Sequence, residues 1–415
     1  MNSKPMTIPK LLVWRAWHVV KAANGGPGVD QVTLELYEND LNSNLYMLWN
    51  RMSSGTYFPS AVKQVAIPKA KGVRYLGIPT VNDRIAQTVV RLQLEDRLEK
   101  VFLPESYGAR TGRNAHQAVR TCRERCWKQN WVIDLDLKSF FDSIDHELLM
   151  RAVAKHQREP WEKLYILRWL KAPVELTTGE QRSGQESGIP QGGPISPLLS
   201  NLFLHYALDL WLRSKYPEVK FERYLDDVII HCQTERQAET LLKQIESRLS
   251  EVKLSLNREK TRIVYSGKCG VPREPKAGPR SFTFLGFEFK PRKMRTKDGK
   301  QWTGISAGVG QRGKKKLAEN LRKNGALRRT NLKLQEVALS INPIIRGWIN
   351  YFKEFRPSEM AISLTRIDLA ITKWMRRKFK PQTRQSVQIL TRIKNQQPRL
   401  FAHWGCGHNS TIGGI

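Results

Sequence analysis

The stretch Phe221-Glu222-Arg223-Tyr224-Leu225-Asp226-Asp227-Val228-Ile229-Ile230-His231 sets two adjacent carboxylates between two apolar runs. Val, Ile, Phe and Tyr favour a pleated backbone, so the segment reads as a β-hairpin with Asp226-Asp227 as its turn. No glycine relieves that turn. Two like charges ~4 Å apart repel by about 4 kcal/mol at an effective dielectric near 20. A divalent cation removes the repulsion, and hard oxygen ligands suit Mg²⁺. Taken alone, a solvated Asp-Asp turn is the simpler reading.

A second acidic cluster changes the balance. Trp131 to Leu137 is a β-rich run carrying Asp134 and Asp136, with Asp142 close behind in Leu137-Lys138-Ser139-Phe140-Phe141-Asp142. In a strand, Asp134 and Asp136 share one face, so both can point toward a metal site. Two carboxylate clusters at strand ends fit phosphoryl transfer with two metal ions, one activating the attacking hydroxyl and one steadying the leaving oxygen. Between the clusters lies Ser187-Gly188-Ile189-Pro190-Gln191-Gly192-Gly193-Pro194-Ile195-Ser196-Pro197, a loop that leads into an apolar helix over about 198–212. It offers exposed backbone and the Gln191 amide to a substrate.

Outward from this centre, strands and helices alternate. Helices surround the Gly-rich turn Asn24 to Asp30. Val62 to Ile67 reads as a strand, returned by Arg74 to Pro79 after the basic turn Pro68-Lys69-Ala70-Lys71-Gly72. Helical patterning covers about 83–101, 115–127, 145–170 and 235–252, with strands at 261–265 and 282–289. Gly286, inside the last of these, allows close approach of a ligand. Strands separated by helices point to a sheet carrying helical insertions.

The charge names a partner class. Lys and Arg total 70 against 38 Asp and Glu, a formal +32 over 415 residues. Such an excess favours a polyanion, since each phosphate neutralised releases condensed counterions. An anionic membrane is the rival, but no apolar run approaches ~18 residues and no signal-peptide core is present. Fourteen Lys or Arg against two acids lie between Lys290 and Arg329, succeeded by a helical pattern over about 332–380 with Trp348, Tyr351, Phe352, Phe355 and Trp374. Any one charge run can be a solvated helix face. Cations bracketing aromatic rings also serve backbone contact and base stacking, which favours nucleic acid. Five cysteines without framework spacing suit a reducing cytosol, and Cys406 with His408 lacks a convincing zinc ligand set.

Taken together, these segments resemble a reverse transcriptase of the group II intron lineage. Asn24 to Asp30 resembles the N-terminal extension motif. Ile67 to Thr80 and Phe102 to Gly108 resemble the fingers motifs, and Asp134 to His146, Gly188 to Asn201 and Tyr224 to Asp227 resemble palm motifs A, B and C. Leu254 to Arg262 is similar to motif D, Phe284-Leu285-Gly286 to the primer grip, and Ile341 to Phe352 to the maturase (thumb) segment. The resemblance implies an α+β, right-hand polymerase: fingers and palm with an antiparallel sheet, then a mainly helical thumb. It implies an N-terminal extension over 1–60, fingers and palm over 61–290, a basic thumb over 291–380 and a short tail over 381–415.

The resemblance also implies roles. Asp136, Asp226 and Asp227 would be the catalytic, metal-binding triad, taking Mg²⁺ and accepting Mn²⁺. Lys69 and Arg74 would hold the triphosphate, and Phe141 would exclude a 2′-hydroxyl. Gln191 would contact the incoming nucleotide, with Lys260 near the departing pyrophosphate. Tyr224, Leu225, Leu285 and Gly286 would lie along the primer. Partners would be an RNA template, a DNA primer/template, dNTPs and a structured intron RNA, in a bacterial cytosol or nucleoid without a membrane.

Two departures divide the biological readings. Leu225 stands where intron-encoded enzymes typically carry Ala, and free-standing relatives, some linked to DNA repair, carry a larger aliphatic. Residues 381–415 hold no paired CxxC sets and no HNH-type endonuclease pattern. Three roles are compatible with this pattern: a DNA polymerase copying RNA and DNA, a free-standing form that anneals short homologies and fills in breaks, and an intron-encoded maturase that folds its intron RNA.

Overall fold

The computed structural model describes residues 4–68, 72–267, 278–295, 299 and 301–406. Lys69 and Cys269 lie outside the described residues. The chain forms two compact units, one of Met1–Ala118 with Ile133–Ile263 and one of Val119–Val132 with Val264–Ile415. The fold is mixed α+β, with three sheets among the described residues.

In the first unit, β1 (Val62–Pro68) and β2 (Val73–Ile78) pair antiparallel from Lys63↔Ile78 to Pro68↔Val73, as the alternation predicts. Helix Val81–Leu98 comes next, its first turn capped by the Thr80 side chain, which accepts from the Asp83 N–H. Val81, Ile85, Ala86, Val89, Val90, Leu94 and Leu98 are all buried. That repeat of three and four residues gives the helix a continuous apolar face.

The chain then forms β3 (Trp131–Leu135), β4 (Val174–Glu175), β5 (Gln181–Arg182), β6 (Lys220–Tyr224), β7 (Asp227–Cys232) and β8 (Arg262–Tyr265). The first sheet runs β2-β1-β4-β5, with β1 and β4 parallel. That pairing joins residues more than a hundred positions apart, so no local pattern announces it. The sheet carrying the carboxylates runs β6-β7-β3-β8.

The hairpin at 221–231 forms, but one residue off the expected turn. Tyr224 pairs with Asp227, so the two turn residues are Leu225 and Asp226, and Asp227 opens β7. The apolar helix after the Gly/Pro loop runs Ser196–Leu204, continues through a π turn at His205–Asp209 and resumes as Leu210–Lys215.

In the second unit, the run 282–289 is not one strand. β9 (Phe282–Phe284) turns through Leu285 and Gly286 into β10 (Phe287–Arg295), with φ of +50° and +81° at the two turn residues. Positive φ at both positions matches the right-handed twist of hairpin strands, and glycine adopts it without strain. Phe282 and Phe289 then stack with centroids 4.6 Å apart. β10 pairs antiparallel with β11 (Gln301–Val309) along its full length. The basic stretch 290–329, expected to open a mainly helical module, therefore begins in a β-hairpin. Helices Gln311–Asn324, Leu334–Phe352, Ala361–Phe379 and Thr383–Gln396 complete the unit. No helix among the described residues is long and apolar enough to cross a membrane.

Candidate active site

Asp136 leaves the end of β3 and is held by its backbone. Its N–H donates to Thr261 Oγ1 at 3.2 Å, and its carbonyl accepts from the Asn257 N–H at 2.8 Å. Lys260, in the same turn, sets Nζ 3.3 Å from Asp136 Oδ2. Asp134 takes a different partner, with Oδ2 3.8 Å from the Arg262 guanidinium. The shared strand face thus delivers Asp136 to the turn that bears Lys260, while Asp134 is engaged two residues back.

The hairpin turn is strained. Leu225 has φ +57°, a left-handed backbone that costs a branched residue roughly 1–3 kcal/mol. Neighbouring chain supports it. The Arg223 N–H donates to the Glu105 carbonyl at 2.9 Å, and the Arg223 carbonyl accepts from the Tyr107 N–H at 2.8 Å. Gly108 then lies against the turn: a Cβ there would meet Leu225 N at 2.6 Å, so only glycine fits.

Asp226 is half-buried and Asp227 exposed. Burial pushes the Asp226 carboxyl above the usual carboxylate range, and the negative charge of Asp136 adds to it. Its own backbone hydrogen bond, Arg74 and Lys260 pull the other way. Asp136, Arg74 and Lys260 are therefore close enough for Asp226 to feel their charge. Carboxylate oxygens of this kind, on Asp226 beside Asp227 and with the charge of Asp136 within reach, are the hard donors that suit a divalent cation.

The Gly/Pro loop reaches the same region. Arg74 Nε donates to Gln191 Oε1 at 2.7 Å, and the Gly77 N–H donates to the Gln191 carbonyl at 2.8 Å. Phe141 joins the loop through its carbonyl, which accepts from the Ile189 N–H at 2.7 Å. Of the adjacent rings, Phe140 is core at 2% exposure and Phe141 is part-exposed, so Phe141 is the ring left facing outward. Leu285 and Gly286 belong to the second unit, where the Leu285 carbonyl accepts from Tyr351 Oη at 2.8 Å.

Sequence reasoning passed over the residues that hold these groups: Asn257, Thr261, Asn201, Asp209 and Arg223. One signal was present. Glu222 and Arg223 are charges inside an otherwise apolar strand, and both are fully buried, which requires partners.

Comparison with known proteins decides the family. Residues 67–289 match the model described as "Reverse transcriptase (RNA-dependent DNA polymerase)", more than half of the chain. The chain belongs to the reverse-transcriptase family. Residues 314–392 also match the "Group II intron, maturase-specific domain", which makes this a reverse transcriptase of the group II intron type. It is 34% identical to Protein YkfC of Escherichia coli (strain K12) over 57% of this chain and 72% of that one. It is 36% identical to the group II intron-encoded protein LtrA of Lactococcus lactis subsp. cremoris over 41% of this chain, but spans only 28% of LtrA. The carboxylate site, from Asp136 through Asp227 to Lys260, lies inside the reverse-transcriptase match.

Proposed function

We propose that this reverse transcriptase is an RNA-directed, and also DNA-directed, DNA polymerase that adds dNTPs to a primer 3′ end at Asp136, Asp226 and Asp227. The observation that carries this reading is the strained turn that sets half-buried Asp226 beside Asp227 and within reach of the charge of Asp136. Mg²⁺, or Mn²⁺ in its place, would activate the primer hydroxyl and neutralise charge on the transferring phosphoryl group.

The chain's own residues divide the remaining work. Arg74 presents a forked donor to the triphosphate, oriented by Gln191, and Lys69 adds a point charge. Phe141 closes the space beside the sugar. Lys260 supplies positive charge near the leaving pyrophosphate. On this reading residues 61–290 are fingers and palm, 291–380 the thumb with Leu285 and Gly286 as primer grip, 1–60 the N-terminal extension and 381–415 a tail.

The biological setting has two readings. Leu225 favours a free-standing enzyme of DNA break repair, because a branched side chain in the strained turn beside the primer end would alter how a short annealed terminus seats. The maturase match over 314–392 and the likeness to an intron-encoded protein favour a maturase that binds and folds its intron RNA. Primer extension on matched RNA and DNA templates with shortening primers, comparing wild type and Leu225→Ala, tests the polymerase and the priming role together. The repair reading expects wild type to extend short or snapped-back ends better than Leu225→Ala. Identical primer use by the two forms contradicts it, and no extension on either template contradicts the polymerase.

A further inference from the structure

The ion pair beneath the catalytic turn is fully enclosed: Arg223 and Asp209 side chains are both at 0% exposure. Asp209 accepts two hydrogen bonds, from Arg223 Nε at 2.7 Å and from Nη2 at 2.6 Å. The remaining nitrogen, Nη1, points the other way. It donates to Asn201 Oδ1 at 2.7 Å and to the Leu225 carbonyl at 3.2 Å. Asn201 in turn donates from Nδ2 to the Gly108 carbonyl at 2.7 Å, and Gly108 is the residue packed against Leu225 N. The left-handed residue is therefore flanked on both sides: its carbonyl accepts from Arg223, and the Gly108 backbone closes in on its nitrogen.

Asp209 is the last residue of the π turn His205–Asp209. A π turn inserts an extra residue and rotates the helix beyond it, and such turns persist where a side chain must be aimed. An ordinary helix–strand staple needs only the bidentate pair. Here the guanidinium has a third branch, and that branch ends on the one strained carbonyl in the turn bearing the carboxylates.

We infer that Arg223 is a positioning residue for the reaction: clamped by Asp209, it holds the Leu225 carbonyl and so fixes the backbone from which Asp226 and Asp227 present their carboxylates to the cation. The inference rests on the proposed role of those carboxylates. Lysine cannot replace it, since a single ammonium cannot grip Asp209 and reach the Leu225 carbonyl with fixed geometry.

Two variants of the full chain test this. Arg223→Lys keeps the buried charge pair but loses the fork. Arg223→Met with Asp209→Leu replaces the pair by apolar groups and leaves no buried charge alone. Three readouts are taken for each: thermal unfolding, Mn²⁺ titration monitored by electron paramagnetic resonance, and kcat and KM for dNTP. The expected result is a cooperative fold, Mn²⁺ affinity and kcat each lower by about tenfold or more, and KM within about twofold of wild type. Wild-type Mn²⁺ affinity and kcat in whichever variant folds would overturn the inference. Failure of both to fold would also overturn it, by making the pair a folding element. Asp226→Ala run alongside separates the two levels: retained activity there sinks the metal-site reading itself, whereas its loss beside an unaffected Arg223→Lys sinks only the inference.

Discussion

Lys260 Nζ lies 3.3 Å from Oδ2 and 3.5 Å from Oδ1 of Asp136, an ammonium spanning both oxygens of one carboxylate. Its side chain is well exposed, so the contact contributes little to stability. On the proposed reading this ammonium would yield Asp136 to the dication and supply positive charge near the leaving pyrophosphate. Lys260→Ala is expected to lower kcat on the order of a hundredfold by removing positive charge from the transition state. Metal affinity should stay the same or tighten, since the ammonium no longer competes for Asp136. Steady-state dNTP incorporation with a Mn²⁺ titration checks both; weakened metal binding would show that Lys260 supports the site instead.

The raised carboxyl pKa of Asp226 gives a signed pH dependence. Burial first, and then Asp136, disfavours its charged form, so protonation occurs at a higher pH than for an ordinary aspartate. If Asp226 holds the cation as proposed, binding needs the carboxylate, and activity should fall on acidification earlier than an unshifted Asp allows. Because metal and proton compete, raising Mg²⁺ should move the acid limb to lower pH. Arg74→Ala should move it to higher pH, since Arg74 opposes the shift. An acid limb that ignores Mg²⁺ concentration contradicts this assignment.

Phe141 is expected to set sugar selectivity. Phe141→Ala should raise the efficiency of rNTP use relative to dNTP by roughly tenfold or more, about 1.4 kcal/mol. The substitution should leave dNTP incorporation largely intact, because Phe140 and not Phe141 fills the core. Competition assays with matched rNTP and dNTP report the ratio directly.

In the second unit, Asp368 is buried at 1% and accepts from His403 Nε2 at 2.7 Å and Trp404 Nε1 at 2.8 Å. Burial alone would raise its carboxyl, but His403 by hydrogen bond and charge, then Trp404 and Lys394, hold it below the usual range. A depressed folded value means stability that is present above the unfolded pKa and lost as pH falls through the folded one. Asp368→Asn should therefore cost about 3 kcal/mol near neutrality. The difference from wild type should shrink in acid. Urea unfolding of both forms across pH measures it.

Local chemistry made much of this molecule legible. The strand pair β1 and β2, the helix Val81–Leu98 and the carboxylate pair announce themselves through alternation, a capping Thr80 and adjacent like charges. The turn lies one residue earlier than the adjacent carboxylates suggest, where Gly108 closes in on it and Arg223 bonds the Leu225 carbonyl, long-range contacts that no local pattern announces. Leu225 and Leu285 both take left-handed backbone that their side chains argue against, and in each case another side chain holds the carbonyl: Arg223 for Leu225, Tyr351 for Leu285. The π turn at Asp209 and the parallel β1–β4 pairing depend on long-range packing in the same way. Arg223 was visible only as an unexplained charge in an apolar strand.

The most direct test is single-turnover primer extension by Asp226→Asn beside wild type, with Mg²⁺ and with Mn²⁺, and primer/template affinity measured on the same preparations. The account predicts a loss on the order of a thousandfold or more with either ion and unchanged nucleic-acid affinity. Extension at the wild-type rate would place the chemistry elsewhere in the chain.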